Sequence, residues 1–464
     1  MIILFILSTL SIDSFLNKPE LKPAQVGIYF FDLDNDSVIY AHNDQKVFIP
    51  ASNMKIVTTG AALYFLGPDY RFKTHLALCG KVKGGKLSGD VVIIGGGDPQ
   101  FSLNDLAQFV STITNLGIKE ITGDIIVIDE YFTDERLPTG WAWHYLDARY
   151  APEISALSMN HNCVNVRMEA TKIGDYARVS IEPETKYVKL INKMKTKTGD
   201  DSIIIYRRPE ANIIYTEGAI GVYHTKNIEV AVKDPAMFVG SYFAEILNDS
   251  GTKFRGRVIR KEDAKFAETD TFKMDIDSVI SAPLIDIIKD INTESVNLNA
   301  EILIKTLGAC FNSEGSFRSG LQMVKRFLDT CSVDTSMVLL SDGSGLSRHN
   351  LISPYDLGLV LKYLYCSQIF KDINKLLLPV PGQGTLEKRF KNFGYELRAK
   401  TGTLDAVSCL SGYLKIDEAN YCFSMMFNNF ICPRETVEKV QEQILRAFTE
   451  QEEKTNKNSK PKND

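Results

Sequence analysis

The chain has 464 residues, 44% hydrophobic and 24% charged, an ordinary globular composition. That length exceeds what one hydrophobic core holds and implies two or three domains. A net charge of −5 supplies no basic field and argues against nucleic acid as a partner.

In chain order, residues 1–11 form a short apolar run ahead of a polar stretch. It is too short to span a bilayer and has the character of a secretory signal's apolar region, although it lacks a basic start and an A-x-A site. We expect a leader over 1–18 and an extracytoplasmic protein; a buried strand is the other reading. Val26–Phe31 and Ser37–Ala41 read as strands of a hairpin around the turn-rich Asp32–Asp36. Next comes Ser52-Asn53-Met54-Lys55 at the head of a helix ending at Gly67-Pro68. Met54, Val57, Ala61, Tyr64 and Phe65 have helical spacing, and Ile56 and Leu63 make the other side apolar too. Such a helix is buried all round. It places Lys55 on the same face as Ser52, an amine beside a hydroxyl. A serine needs a base to become a nucleophile, and burial lowers a lysine's pKa toward that of a base. Alone, S-x-x-K is better explained by a helix cap followed by a solvated lysine, and the rest of the chain must supply the support.

From residue 70 the pattern turns to short strands (Arg71–Leu78, Gly89–Ile94, Gly123–Asp129) around a helix over 103–116. Gly95-Gly-Gly-Asp-Pro99 is no phosphate loop: no G-K-[ST] follows, and Pro99 lacks an N–H. We expect a tight turn there. Further strand-like runs follow (177–181, 202–206, 228–232), then an amphipathic helix over 235–247. The stretch 270–328 is helical in pattern. Strands return at 395–400, 408–414 and 421–427, followed by a last helix over 433–448 and a polar tail over 450–464 that we expect to be disordered. Early and late strands would complete one sheet, with a helical lobe beside it and a β-rich excursion inserted between.

Two further motifs stand out. Ser295-Val296-Asn297 opens the helical run 298–308, where either polar residue could be a cap. Lys400-Thr401-Gly402-Thr403 ends a strand, where it could be a hairpin turn. The eight cysteines are scattered without C-x-x-C, and the six histidines show no H-E-x-x-H, so neither metal nor other cofactor is implied. Most thiols sit in apolar settings and read as buried small hydrophobes; one or two disulfides stay open.

Taken together, S-x-x-K on a buried helix, S-x-N at a helix start and K-T-G on a strand resemble the ordered triplet of penicillin-binding proteins and serine β-lactamases. Ser341-Asp-Gly-Ser-Gly-Leu-Ser-Arg-His-Asn350 narrows the resemblance to class C low-molecular-mass penicillin-binding proteins, D-Ala-D-Ala carboxypeptidase/endopeptidases. Gly95–Pro99, Trp141-Ala-Trp143 and Ser155–Asn160 are similar to that family's inserted region. The long stretch between Ser52 and Ser295 leaves room for two inserted domains. The resemblance implies an α/β (α+β) transpeptidase fold, an antiparallel sheet plus helical lobe. Residues 19–70 and 268–449 would be catalytic, 71–166 with 234–267 one inserted domain, and 167–233 the other.

It also implies roles. Ser52 would form the acyl-enzyme with Lys55 as base, and Ser295 and Lys400 would relay a proton to the leaving amine. Asn297 would hold the substrate backbone, and the N–H groups of Ser52 and Thr403 the oxyanion. Thr401 and Thr403 would face the terminal carboxylate, Gly402 would let substrate lie along the strand, and Arg348 would take a side-chain carboxylate. Tyr145 stands where the family often has an acidic residue, with Asp147 nearby. The implied partners are peptidoglycan stem peptides and, as covalent inhibitors, β-lactams, with no nucleic acid; oligomeric state is not legible. A serine β-lactamase or esterase on the same fold is the alternative, and a cell-wall binder with a relic site the non-enzymatic one.

Overall fold

The structure, a computed structural model, describes residues 12–264, 274–367 and 377–459. The apolar run 1–11 lies outside them. Residues 12–16, expected within the leader, instead form a helical stretch. Ile12 is buried in the core under the main sheet, and Tyr40 Oη donates to Asp13 at 2.7 Å. Apolar burial and a hydrogen bond tie this segment to the folded body.

Strands β1 (Gln25–Asp32) and β2 (Ser37–His42) form the expected hairpin. The Asp32 carboxylate accepts the N–H groups of Asp34 and Asn35 to close its turn. β1 is buried on both faces. Tyr29 and Phe31 point into the helical lobe, while Ile28 and Phe30 point into the opposite core, as the two-residue period of a strand requires. Helix α1 (Met54–Leu66) follows a 3₁₀ turn over Ala51–Asn53, and every residue from Met54 to Leu63 is buried. The expectation of burial all round is met.

The excursion begins with β3 (Lys73–Lys83) and β4 (Lys86–Ile94). Lys83 pairs with Lys86 across Gly84-Gly85, both at positive φ, the tight turn whose twist suits a hairpin. Helix α2 (Leu103–Asn115) starts with a reciprocal Ser102–Asp105 capping box. The short strands β5 (Glu120–Ile121) and β6 (Ile125–Ile128) extend the same sheet. The Gly95–Pro99 turn is structural: a Cβ on Gly95 would meet Ala156 O at 2.4 Å, one on Gly96 Lys73 O at 2.2 Å. It therefore packs directly on the 155–160 segment.

β7 (Cys163–Glu169) and β8 (Arg178–Glu182) belong to a three-stranded sheet, so the second inserted layer starts before the expected residue 167. β9 (Lys189–Asn192), β10 (Lys195–Lys197), β11 (Ser202–Arg207) and β12 (Ile213–Gly221) form a four-stranded sheet. β13 (Thr225–Ala231) returns to pair with β7. Helix α3 (Pro235–Asp249) and strands β14 (Lys253–Phe254), β15 (Val258–Arg260) and β16 (Met274–Ile280) come back to the first sheet, which has seven strands. β16 was expected in the catalytic part beyond 267. It pairs instead with β3 (Val279 opposite Thr74), and Val279 is buried in the inserted core.

The helical lobe consists of α4 (Leu284–Glu294), α5 (Asn297–Asn312), α6 (Phe317–Thr330) and α7 (Pro354–Cys366), all packed on α1. Our sequence reading did not assign α7, although Ser353-Pro-Tyr-Asp356 is a capping box with proline at the first helical position. The chain closes with β17 (Glu396–Leu404), β18 (Val407–Ile416), β19 (Ala419–Asn428) and α8 (Arg434–Ser459). The main sheet is antiparallel in the order β17-β18-β19-β1-β2, with β17 at an edge. The expected disordered tail is contradicted up to residue 459. α8 runs on, Glu452 is buried, and Tyr421 Oη donates to its carboxylate at 3.1 Å. No disulfide joins any of the eight cysteines, all of which lie among the described residues.

Candidate active site

Ser52 lies in the 3₁₀ turn that enters α1. Ala51, just before it, sits in the left-handed region at φ 46°, a conformation that costs a non-glycine residue about 1 kcal/mol or more. The Ala51 carbonyl lies so close to Gly345 that a Cβ there would approach it to 1.8 Å. Hence the 342–350 loop and the Ser52 turn are fitted backbone to backbone.

Lys55, one turn into the helix, is fully buried. Its Nζ lies 3.0 Å from Ser52 Oγ, 2.6 Å from Asn297 Oδ1 and 2.8 Å from Ser344 O. Two of these partners can only accept. Asn297 Nδ2 donates to Tyr150 O at 2.8 Å, so its Oδ1 faces the lysine; Ser344 O is a carbonyl. A neutral amine has two N–H bonds and one lone pair. With both N–H groups taken, the lone pair is left for the Ser52 hydroxyl. Burial lowers the Lys55 pKa to about 7, against the opposing pull of Asp342 and Glu301.

Ser295 forms the elbow between α4 and α5, at φ 59°. Neither it nor Asn297 makes the helix cap considered from sequence: no side-chain cap is present, and Asn297 is the first residue of α5. The left-handed elbow turns Ser295 Oγ toward Lys400 Nζ, 2.9 Å away. Lys400, fully buried on β17, also donates to Thr401 O at 3.0 Å. Burial first, and the neighbouring Lys55 second, hold its pKa well below the ordinary lysine value. Among the described residues neither lysine has a carboxylate within ion-pair distance. Two amines and two hydroxyls thus converge in a low-dielectric floor.

Above this floor is an open cleft of about 640 Å³. Ser52, Ser295, Asn297 and Thr403 lie at its base; Tyr145, Tyr150, Leu346, Leu404, Asp405 and Ile431 form its walls. The exposed β17 edge borders it. Thr401 is half-buried and outside this lining. Gly402 differs from expectation: a Cβ there would meet Pro50 O at 2.6 Å and Asn53 Oδ1 at 3.0 Å. The missing side chain lets β17 approach the Ser52 turn from behind, rather than clearing the substrate's path. Arg348 is exposed and not part of the lining; its Nη1 donates to the carbonyl of Asp405, which is. Tyr145 lines the cleft, whereas the Asp147 carboxylate accepts from Arg207 N at 3.1 Å.

Sequence reasoning missed two buried acids. Asp342 collects Trp141 Nε1 (2.8 Å), Gly345 N (2.7 Å), Ser347 N (2.6 Å) and Asn350 Nδ2 (2.6 Å), which explains the dense S-D-G-S-G-x-S-x-x-N pattern. Glu301 accepts from Gly343 N and Ser344 N. Its signal was legible: Asn297, Glu301 and Lys305 repeat every four residues on one face of a largely apolar helix.

The sequence model of the D-Ala-D-Ala carboxypeptidase 3 (S13) family matches residues 8–451. This chain belongs to that family of serine peptidases. Among relatives of the S13 protein, the D-alanyl-D-alanine carboxypeptidase of Actinomadura sp. (strain R39) is 30% identical over 441 residues, 91% of this chain and 81% of that one. The D-alanyl-D-alanine carboxypeptidase DacB of Haemophilus influenzae is 24% identical, covering 84% and 82%. In fold, the crystal structure of penicillin-binding protein 4 from H. influenzae superposes with a TM-score of 0.83 at 21% identity, over 94% of this chain and 99% of that one. The expected fold, a transpeptidase sheet and helical lobe carrying inserted β-rich layers, stands.

Proposed function

We propose that this S13 protein cleaves the bond between the terminal D-alanines of peptidoglycan stem peptides, and the equivalent cross-link, through an acyl-enzyme on Ser52. The observation that carries this is the Lys55 amine, 3.0 Å from Ser52 Oγ with fixed acceptors for both its N–H groups. Lys55 takes the Ser52 proton as Oγ bonds to the carbonyl carbon. The N–H groups of Ser52 and Thr403 receive the oxyanion, a contribution of ~3 kcal/mol or more to lowering the barrier. As the C–N bond breaks, the proton Lys55 took from Ser52 is relayed by way of Lys400 and the Ser295 hydroxyl to the leaving amine, which returns Lys55 to its neutral form. Water then hydrolyses the ester.

Asn297 Nδ2 is engaged by Tyr150 O in the free enzyme, so a substrate backbone carbonyl takes that position on binding. Thr401 and Thr403 on the β17 edge receive the terminal carboxylate, and Arg348 a carboxylate on the stem's side chain. β-Lactams acylate Ser52 in the same way. A peptidoglycan substrate and the apolar character of residues 1–11 support a site of action outside the cytoplasm; cell fractionation tests this. Among the described residues no helix is long and apolar enough to cross a membrane.

The deciding experiment is mass spectrometry after exposure to penicillin. One slowly hydrolysed adduct on the peptide containing Ser52 is expected. A rapidly lost adduct with fast drug turnover would favour the β-lactamase reading, and an adduct on Ser295 would overturn the assignment.

A further inference from the structure

Glu301 takes no part in the steps above, yet it is a fully buried carboxylate beside them. It sits one helical turn after Asn297 on α5. Its Oε1 and Oε2 accept Gly343 N at 3.1 and 3.0 Å, and Oε1 also accepts Ser344 N at 2.7 Å. Thr58, on the nucleophile helix, holds the same loop from its other side by donating to Gly343 O at 2.7 Å. The residue fastened this way, Ser344, presents the carbonyl that accepts from Lys55.

We propose that Glu301 is a positioning residue for the general base: by fixing the Gly343–Ser344 N–H groups it aims the Ser344 carbonyl at Lys55 and keeps the amine's lone pair directed at Ser52. The inference rests on the reading of Lys55 as base. Without the clamp the carbonyl can swing away. The freed N–H of Lys55 then competes for Ser52 Oγ as a donor, which is the wrong polarity for proton removal.

Glu301 has an electrostatic consequence too. The groups facing Lys55 are Lys400 from β17, Asp342 from the 342–350 loop and Glu301 from α5. The two acids favour the lysine's cation and Lys400 opposes it. Burial first and Asp342 second push the Glu301 carboxyl up to about 8, against the backbone donors that favour its ionised form. Where it is ionised, Glu301 raises the pH at which Lys55 releases its proton.

The test is the acylation rate with a chromogenic cephalosporin as a function of pH, for wild type, Glu301→Gln, Glu301→Asp and Lys55→Arg, with thermal unfolding in parallel. In Glu301→Gln the amide NH₂ faces backbone N–H groups and the charge is gone. The plateau per folded enzyme should fall roughly tenfold or more, and any displacement of the acid limb should be toward lower pH. Glu301→Asp keeps the charge but withdraws it, so the plateau should fall with the acid limb near its wild-type position. If Glu301→Gln does not fold, the Asp variant decides alone: a wild-type plateau would overturn the proposal. A lowered plateau in the Gln variant that loss of folded protein fully accounts for would reduce Glu301 to a packing role and also overturn it. Should Lys55→Arg acylate well, the base assignment itself fails, an outcome distinct from either.

Discussion

The floor of the site and the rim of its cleft are built on different physics. On the floor, Lys55, Asn297 and Lys400 are buried, and each makes hydrogen bonds of 3.0 Å or less to partners on other elements. In a low-dielectric setting each bond is costly to break, so the geometry is set before substrate arrives. On the rim, Ile431 is 87% exposed, and Arg348 reaches the cleft only through the Asp405 carbonyl. Nothing there is over-determined. The floor holds the groups to which the proposed chemistry is assigned; the rim is where side chains can change without disturbing it.

Substitutions can break or sharpen that contrast. The largest effect is expected for Ser52→Ala: loss of peptidase activity and of all covalent β-lactam labelling, with the folded circular-dichroism spectrum retained. Labelling that survives would move the nucleophile elsewhere. Next is Lys55→Arg, nearly inactive in acylation because a guanidinium stays protonated. In the wild type, a Lys55 pKa lowered to about 7 means the neutral base predominates above that pH. Acylation should therefore be near its plateau above about pH 7 and fall on the acid side as Lys55 takes up a proton; stopped-flow rates between acid and alkaline pH check the sign. A profile flat through this range would remove Lys55 as the titrating base.

Gly402→Ala probes the floor's support. The new methyl would meet Pro50 O at 2.6 Å, so β17 and the Ser52 turn must separate. We expect a stability loss of about 1–3 kcal/mol together with slower acylation, seen by denaturant titration and kinetics on the same sample. If acylation slows with stability unchanged, the glycine serves substrate passage instead.

On the rim, Arg348→Ala should weaken hydrolysis of peptides with a free side-chain carboxylate by about 1.5–3 kcal/mol relative to neutral analogues. Equal losses on both would make Arg348 a strut for the Leu404–Asp405 turn. The smallest effect is expected for Ile431→Ser, with β-lactam acylation within about twofold of wild type, since the residue makes little buried contact. A large drop would show that the rim, too, is preorganised.

The sequence alone determined the order and chemistry of the floor. The all-apolar α1, S-x-x-K at its head, S-x-N and K-T-G each reflect a local constraint, and a helix turn brings Ser52 and Lys55 together without help from distant residues. The strands flanking the excursion were legible for the same reason: β-rich runs bounded by turn residues are a local pattern. Only the tertiary structure decided the rest. It placed β16 in the inserted sheet, because strand pairing depends on a partner 200 residues away in register, not on the strand's own pattern. It continued α8 past residue 450, because Glu452 finds Tyr421. It gave Gly402 a packing role and surrounded Lys55 with Ser344 O, Asp342 and Glu301. The pKa of a buried amine is set by which distant groups desolvate it and accept its protons, and no local spacing in the chain encodes that.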